Sequence, residues 1–125
     1  MKIMFDRLPS LSKERVIDVG CGDCKLSEDL LFNIFQIVHM LDVDKECIEK
    51  AKKLLEKKNK KGTTHWVDMR GFQPGNIFSC VVMRYSIGYM GNKSAIHFLE
   101  KMKKSLIERK NQQARATQRE SYILI

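Results

Sequence analysis

Short, uninterrupted apolar runs alternate with stretches of helical periodicity along most of this chain, and that alternation constrains its fold more than any other feature. Arg15 to Val19 is a β-branched run that stops at Gly20-Cys21-Gly22, and Ile37 to Leu41 is a second that stops at Asp42. Thr64 to Val67 gives a shorter third, closed by Asp68-Met69-Arg70-Gly71 and the turn around Pro74-Gly75, and Phe78 to Met83 gives a fourth. Tyr122 to Ile125 is either a fifth strand or an unpaired end. Runs that are apolar at consecutive positions, rather than at every second one, mark strands buried on both faces.

Between these runs the apolar spacing changes to that of helices. Leu26, Leu30, Leu31, Ile34 and Phe35 follow the glycine turn at helical spacing, with a break expected near Asn33. Cys47, Ile48, Ala51, Leu54 and Leu55 form one stripe of a second helix, capped by Asp44, starting at Lys45 and ending at Gly62. A further helix is expected from an N-cap at Asn92, with Ile96, Leu99, Met102 and Leu106 inward. The polar stretch from Lys110 to Glu120 has no apolar periodicity and reads as loop. Strand and helix in alternation imply parallel βαβ units in a sheet covered on both faces, an α/β fold with a mostly parallel sheet of four to five strands.

At 125 residues with 43% hydrophobic content, one domain with one core is the expectation. The net charge of +8 would suit nucleic acid, but the basic residues concentrate in Lys50 to Lys61, Lys101 to Lys110 and Arg115 to Arg119, without interleaved aromatics. They read as solvated helix faces and a polar terminus, so nucleic acid is not favoured. No apolar run approaches the roughly 20 residues of a membrane span, and the start MKIMFDRLPS lacks the apolar core of a signal peptide. A cytoplasmic or nuclear location with no membrane contact is expected, with Cys21, Cys24, Cys47 and Cys80 as reduced thiols. An open sheet edge should be covered by another chain, so a homo- or hetero-oligomer is expected.

In open parallel sheets ligands bind outside the carboxyl ends of the strands, which directs attention to the loops after Val19, Leu41, Val67 and Met83. The turn from Asp18 to Lys25 brings backbone N–H groups near a helix N-terminus, where a polar or anionic group can be held and glycine permits close approach. About twenty residues later Asp42 stands where a carboxylate can accept both hydroxyls of a ribose. Asp68, Met69 and Arg70 follow the third strand, where a backbone amide or a carboxylate reads an adenine edge and Met69 packs on its ring. Together these loops describe a site for a nucleoside-bearing cofactor, and their arrangement does not separate NAD from S-adenosylmethionine.

Cys21-Gly-Asp-Cys24 also has the spacing of a redox pair or half a zinc site, yet no second such cluster completes a metal site, and none is expected. His39, His65 and His97 read as structural or solvent-facing. Trp66, the only tryptophan, reads as core packing in its strand, and Phe72 as core or substrate platform.

VIDVGCGDC (Val16 to Cys24), LDVDKECIEKAKKL (Leu41 to Leu54) and IFSCVVMRYSIGYM (Ile77 to Met90) resemble the first, post-first and fourth motifs of class I S-adenosylmethionine-dependent methyltransferases. Within that superfamily the chain is similar to the protein N-terminal α-N-methyltransferases that modify Xaa-Pro-Lys starts, over roughly Arg15 to Leu106, with GFQP at Gly71 and SIGYMGNKSAIHFLEKMKKSL in that family's spacing. The resemblance implies a Rossmann-like fold, S-adenosyl-L-methionine as cofactor and a protein or peptide substrate. It also implies a lead-in over 1–14, a cofactor-binding domain over 15–109 and a polar tail with a candidate fifth strand over 110–125, incomplete beside the seven-strand form and truncated at both ends.

The candidate cofactor-contacting residues are Asp18, Gly20, Cys21, Gly22, Lys25, Asp42, Val43, Asp68, Met69, Arg70, Arg84 and Tyr85. By resemblance, Gly20 and Gly22 approach the methionine part, Lys25 stands where the family has an arginine holding its carboxylate, and Asp42 holds the ribose. Met69 flanks the adenine, and Arg84, in place of the family's glutamine, lies under the methionyl end near Tyr85 and Ser86. Two further departures accompany this pattern. Cys24 replaces the third motif glycine, and Tyr89, the candidate catalytic residue, stands where the family has a histidine implicated in deprotonating the amine. A neutral tyrosine is a poor base at pH 7. The sequence therefore supports two expectations: a methyltransferase acting on a protein α-amine, or a catalytically degenerate subunit with a binding or structural role.

Overall fold

The computed structural model describes residues 13–75, 78–83, 92–106 and 122–124. Its elements in chain order are β1 (Arg15–Val19), helix α1 (residues 25–34), β2 (Ile37–Asp42), α2 (Lys45–Lys57), β3 (Gly62–Trp66), β4 (Cys80–Met83), α3 (Asn92–Ser105) and β5 (Tyr122–Leu124). All strand pairings are parallel, in the order β3-β2-β1-β4-β5. Strand order reverses at β1, which lies between β2 and β4, so the crevice beyond its carboxyl end is where this architecture places ligands. Of the two readings open for Tyr122 to Ile125, the structure takes the strand, which forms along Tyr122–Leu124 and pairs with β4 from Cys80 to Val82.

The strands lack hydrophobic alternation because the sheet has a core on each face. Val16, Val38, Met40, Cys80 and Val82 project to one side, against Leu31 and Phe35 of the α1 region and Ile48, Ala51 and Leu55 of α2. Ile17, Val19, Leu41, Val81 and Met83 project to the other, against Phe72, Phe78 and, from α3, Phe98 and Met102. The side-chain period of two thus divides each apolar strand between two cores.

Asp44 caps α2 as expected, its side chain accepting the N–H of Glu46 at 2.9 Å. At the other end of the neighbouring helix, Lys60 Nζ donates to the carbonyls of Phe32 and Phe35 at 2.8 and 2.6 Å, satisfying acceptors that the end of α1 leaves open. α1 contains a π-helical turn, Ser27–Leu31, in which the Phe32 N–H reaches back to the Ser27 carbonyl. Its apolar spacing did not reveal that wider turn.

Two packing expectations are corrected. Ile96 is 59% exposed, and α3 instead turns Phe98 inward together with Met102. Trp66 is 60% exposed, because β3 pairs only with β2 among the described residues and its end stands clear of both cores. Phe72, left open between two readings, is buried in the core beside His65.

On the α3 face, His39 and His65 stack with ring centroids 5.1 Å apart and share a hydrogen bond of 2.9 Å between Nδ1 and Nε2. Phe78 meets His39 edge-on, and Phe72 does the same to His65. His39 Nε2 is buried without a hydrogen-bond partner. Burial first, then the neighbouring His65 and Arg15, lowers the His39 pKa to about 4, and burial lowers that of His65. Both rings are therefore neutral at pH 7, one donating and the other accepting. Among the described residues, no helix is long and apolar enough to cross a membrane.

Candidate cofactor site at the ends of the first three strands

The turn after β1 folds onto the end of β2. The N–H groups of Gly20 and Cys21 both donate to the Leu41 carbonyl, at 2.8 and 3.0 Å. Gly22 N–H donates to Asp42 Oδ2 at 2.9 Å, Cys24 N–H to the Cys21 carbonyl at 2.9 Å, and Lys25 N–H to Asp23 Oδ1 at 3.0 Å. Each of these amides has a partner within the protein. The turn accordingly shapes space and fixes Asp42, rather than offering those amides to an anion.

Glycine is required here by conformation. Gly20 and Gly22 have φ of 76° and 55°, in the left-handed region that other residues enter at a cost. A methyl group placed on Gly22 would meet nothing within 4 Å, so its missing side chain opens directly onto free volume. Cys24 occupies the same region with φ of 66°, a conformation that glycine enters freely and a cysteine enters at a cost. Its sulfur is buried and donates to the Gly22 carbonyl at 3.7 Å.

The Cys21 and Cys24 thiols are linked when they titrate, the protonated one donating to the other once that is a thiolate. That bond, followed by burial and the nearby charges of Cys24, Asp18 and Asp42, raises the Cys21 pKa and keeps its proton in place. The same bond lowers the pKa of Cys24. All four cysteines are free thiols, and among the described residues no three metal-binding side chains converge.

Asp18 lies beneath the turn, 3% exposed, and accepts the Ser27 hydroxyl at 2.8 Å. This pairing ties β1 to the π-helical turn of α1 from inside the protein. Lys25 is exposed at the start of α1.

At the end of β2, Asp42 Oδ1 accepts the N–H of Asp44 at 2.9 Å while Oδ2 accepts that of Gly22. A carboxylate has about four acceptor positions, so each oxygen keeps capacity for a further donor. Two backbone bonds thus fix the orientation of the carboxylate without saturating it. Val43 follows with 65% of its surface exposed, an apolar side chain beside that carboxylate.

The loop after β3 is held firmly. Asp68 accepts the Arg70 N–H at 2.9 Å, its Nε at 3.0 Å and its Nη2 at 2.7 Å, a two-pronged pair that closes the 3₁₀ turn Met69–Gly71. These Arg70 bonds hold the Asp68 carboxyl at a pKa of about 2. Lys101 Nζ on α3 donates to the Arg70 carbonyl at 2.8 Å, anchoring the turn from the other side. Met69 is half-buried against the α3-side core. The carboxylate of Asp68 thereby shapes the loop through Arg70, a role that its position in the sequence did not disclose.

The structure therefore brings Gly20, Cys21, Gly22, Asp42 and Val43 together at the crevice end of β1 and β2, with Met69 and the Asp68–Arg70 pair on the loop after β3. Arg84, Tyr85, Ser86 and Tyr89 lie outside the described residues. Trp66 is the feature that sequence reasoning placed wrongly: its indole Nε1 donates to the Val43 carbonyl at 2.9 Å. It ends the third strand opposite Asp42, a register that the sequence, read as a strand running on to Val67, did not show.

Comparison with known proteins agrees with this architecture. The model of the family described as AdoMet dependent proline di-methyltransferase matches residues 2–112. The chain is 27% identical over 92 residues to N-terminal Xaa-Pro-Lys N-methyltransferase 1-A of Xenopus laevis, a match covering 72% of this chain and 41% of that protein. A SAM-dependent methyltransferase of Leishmania major aligns with a TM-score of 0.77 at 20% identity, over 84% of this chain and 43% of the other. Phosphoethanolamine N-methyltransferase 1 of Haemonchus contortus, solved with phosphoethanolamine and S-adenosylhomocysteine, aligns with a TM-score of 0.72 at 20% identity, over 85% and 22% of the two chains. The chain spans less than half the length of these relatives. The structural likenesses establish the Rossmann-like fold of class I methyltransferases.

Proposed function

Since the chain belongs to the AdoMet dependent proline di-methyltransferase family, we propose that it binds S-adenosylmethionine at the ends of β1, β2 and β3 and transfers its methyl group to the α-amine of a protein beginning Xaa-Pro-Lys. The observation that carries this reading is the fixed but unsaturated carboxylate of Asp42, held by Gly22 and Asp44 beside exposed Val43. It has the acceptor capacity a ribose diol needs, and its two backbone bonds orient it before any ligand arrives. The open volume at Gly22 admits close approach of a ligand to the backbone. The acceptor at Asp42 and the space at Gly22 both suit the nucleoside and its attached chain.

Each residue then has a distinct task. Asp42 accepts the ribose hydroxyls, Val43 supplies apolar surface to the purine, and Met69 flanks it from the loop that Asp68, Arg70 and Lys101 hold in place. Lys25, exposed at the start of α1, offers a cation to the carboxylate of the methionine part. Asp18 supports the turn from below through Ser27. Arg84 and Tyr85, next along the chain after β4, serve the methionyl end. S-adenosylmethionine itself supplies a methyl group already activated on a sulfonium sulfur, so alignment of the amine is the main requirement placed on the protein. The Xaa-Pro-Lys acceptor is supported by the name of the Xenopus relative. The edge position of β3 supports an assembly with a second chain, whether a copy or a different protein.

Tyr89 favours a second reading. It stands in sequence where the family has a histidine, and a neutral phenol is a poor proton acceptor at pH 7, which suits a subunit that binds the cofactor without transferring the methyl. Incubation with methyl-labelled S-adenosylmethionine and a peptide starting Ala-Pro-Lys, free or acetylated at its N-terminus, distinguishes the two. Transfer to the free peptide alone supports the enzyme, whereas cofactor binding with label on neither peptide supports the binding subunit.

A further inference from the structure

Trp66 has the surroundings of a residue that serves a ligand. It ends the edge strand β3 directly opposite Asp42 in the β2–β3 register, and 60% of its surface is open. Its indole is nevertheless oriented: Nε1 donates to the Val43 carbonyl at 2.9 Å, and Lys45 Nζ lies 5.5 Å from the ring centroid. Val67 N–H donates to the Asp42 carbonyl at 3.1 Å, so β3 holds the turn after β2 through the backbone at residue 42 and through the indole at residue 43.

We propose that Trp66 is a positioning residue for the nucleoside of S-adenosylmethionine, acting through the turn from Asp42 to Asp44. The inference rests on the cofactor reading given above. The turn carries the ribose-accepting carboxylate and the apolar Val43, and both change direction if the Val43 carbonyl is released. An indole can hold that carbonyl from a strand end because its N–H lies at the far edge of a rigid ring, and it has no other strong polar requirement. Lys45 over the ring adds a cation–π contact that restrains the indole plane. A tryptophan whose purpose was burial would not leave most of its surface in water.

Trp66 is also the chain's only tryptophan, so its emission reports on its own surroundings. The test titrates S-adenosylhomocysteine into the wild-type chain and into Trp66→Phe, Asp42→Asn and the double variant, following heat for all four and emission where the indole remains. The expected result is an emission change on binding by the wild type and a loss of about fivefold in affinity in Trp66→Phe, the scale of one neutral hydrogen bond. In the Asp42→Asn background the same substitution should cost less than twofold, because both residues act through one turn. Unchanged thermal unfolding of Trp66→Phe separates positioning from folding. Equal affinity of wild type and Trp66→Phe, or losses that multiply in the double variant, would overturn this inference while leaving the cofactor site standing. Absence of binding by the folded wild type would overturn the cofactor reading and this inference together.

Discussion

Gly22 donates its backbone N–H to Asp42 Oδ2 at 2.9 Å, joining the turn after the first strand to the carboxylate that ends the second. Twenty residues of sequence separate the two, and the pairing makes the glycine turn and the acidic strand end a single structure. Because Gly22 has φ of 55° and open volume where a side chain would stand, Gly22→Ala should affect stability and ligand binding differently. The strained backbone should cost about 1 kcal/mol of stability. Affinity for S-adenosylhomocysteine should fall by at least about tenfold, since the added methyl occupies the approach to the turn. Denaturant unfolding and calorimetry on one preparation check both, and equal affinity of variant and wild type would contradict this view of the turn.

The His39–His65 pair gives the fold a pH dependence on its α3 side. His39 has a folded pKa of about 4 against an ordinary 6.5, so above pH 6.5 the ring is neutral whether folded or not. As pH falls below 6.5 the unfolded chain takes up a proton that the folded one refuses, and stability is lost until the folded pKa is reached. Between pH 7.5 and pH 5 the unfolding free energy should drop by roughly 2 kcal/mol from His39 alone. His65, lowered in the same direction by burial, adds to the loss. His39→Gln keeps a hydrogen-bonding side chain without the titration and should flatten the dependence by about half or more; parallel curves for the two proteins would show that the loss arises elsewhere.

Gly62 begins the edge strand where it meets Val38. A side-chain carbon there would press against the Val38 carbonyl oxygen and lie 2.9 Å from Leu55 Cδ2. Since the first obstacle is backbone within a sheet ladder, Gly62→Ala should destabilise the protein by at least about 2 kcal/mol. A melting temperature within a degree of wild type would contradict the close packing of β3 and α2.

Strands buried on both faces were legible as apolar runs, and Asp44 as the cap of α2, because these depend on nearest neighbours in sequence. Asp42 was legible at the candidate site because a strand end fixes where a carboxylate stands. The edge position of β3 was not, since it depends on the order of strands in the sheet, and this is why Trp66 reads as core in sequence and stands exposed in the fold. Asp18 and Asp68 show a second limit. Each is an acidic residue at or beside a strand end, as Asp42 is, yet one is turned inward to Ser27 and the other is gripped by Arg70 two residues on. Which carboxylate keeps acceptor capacity depends on donors that only the folded chain brings together.

The most direct test of the cofactor site is calorimetric titration of S-adenosylhomocysteine into the chain and into Asp42→Ala. Micromolar binding by the wild type is expected, weakened by about a hundredfold or more in the variant because buried hydroxyls lose a charged acceptor. Equal affinity of the two proteins, or no binding by a folded wild type, would contradict the cofactor reading.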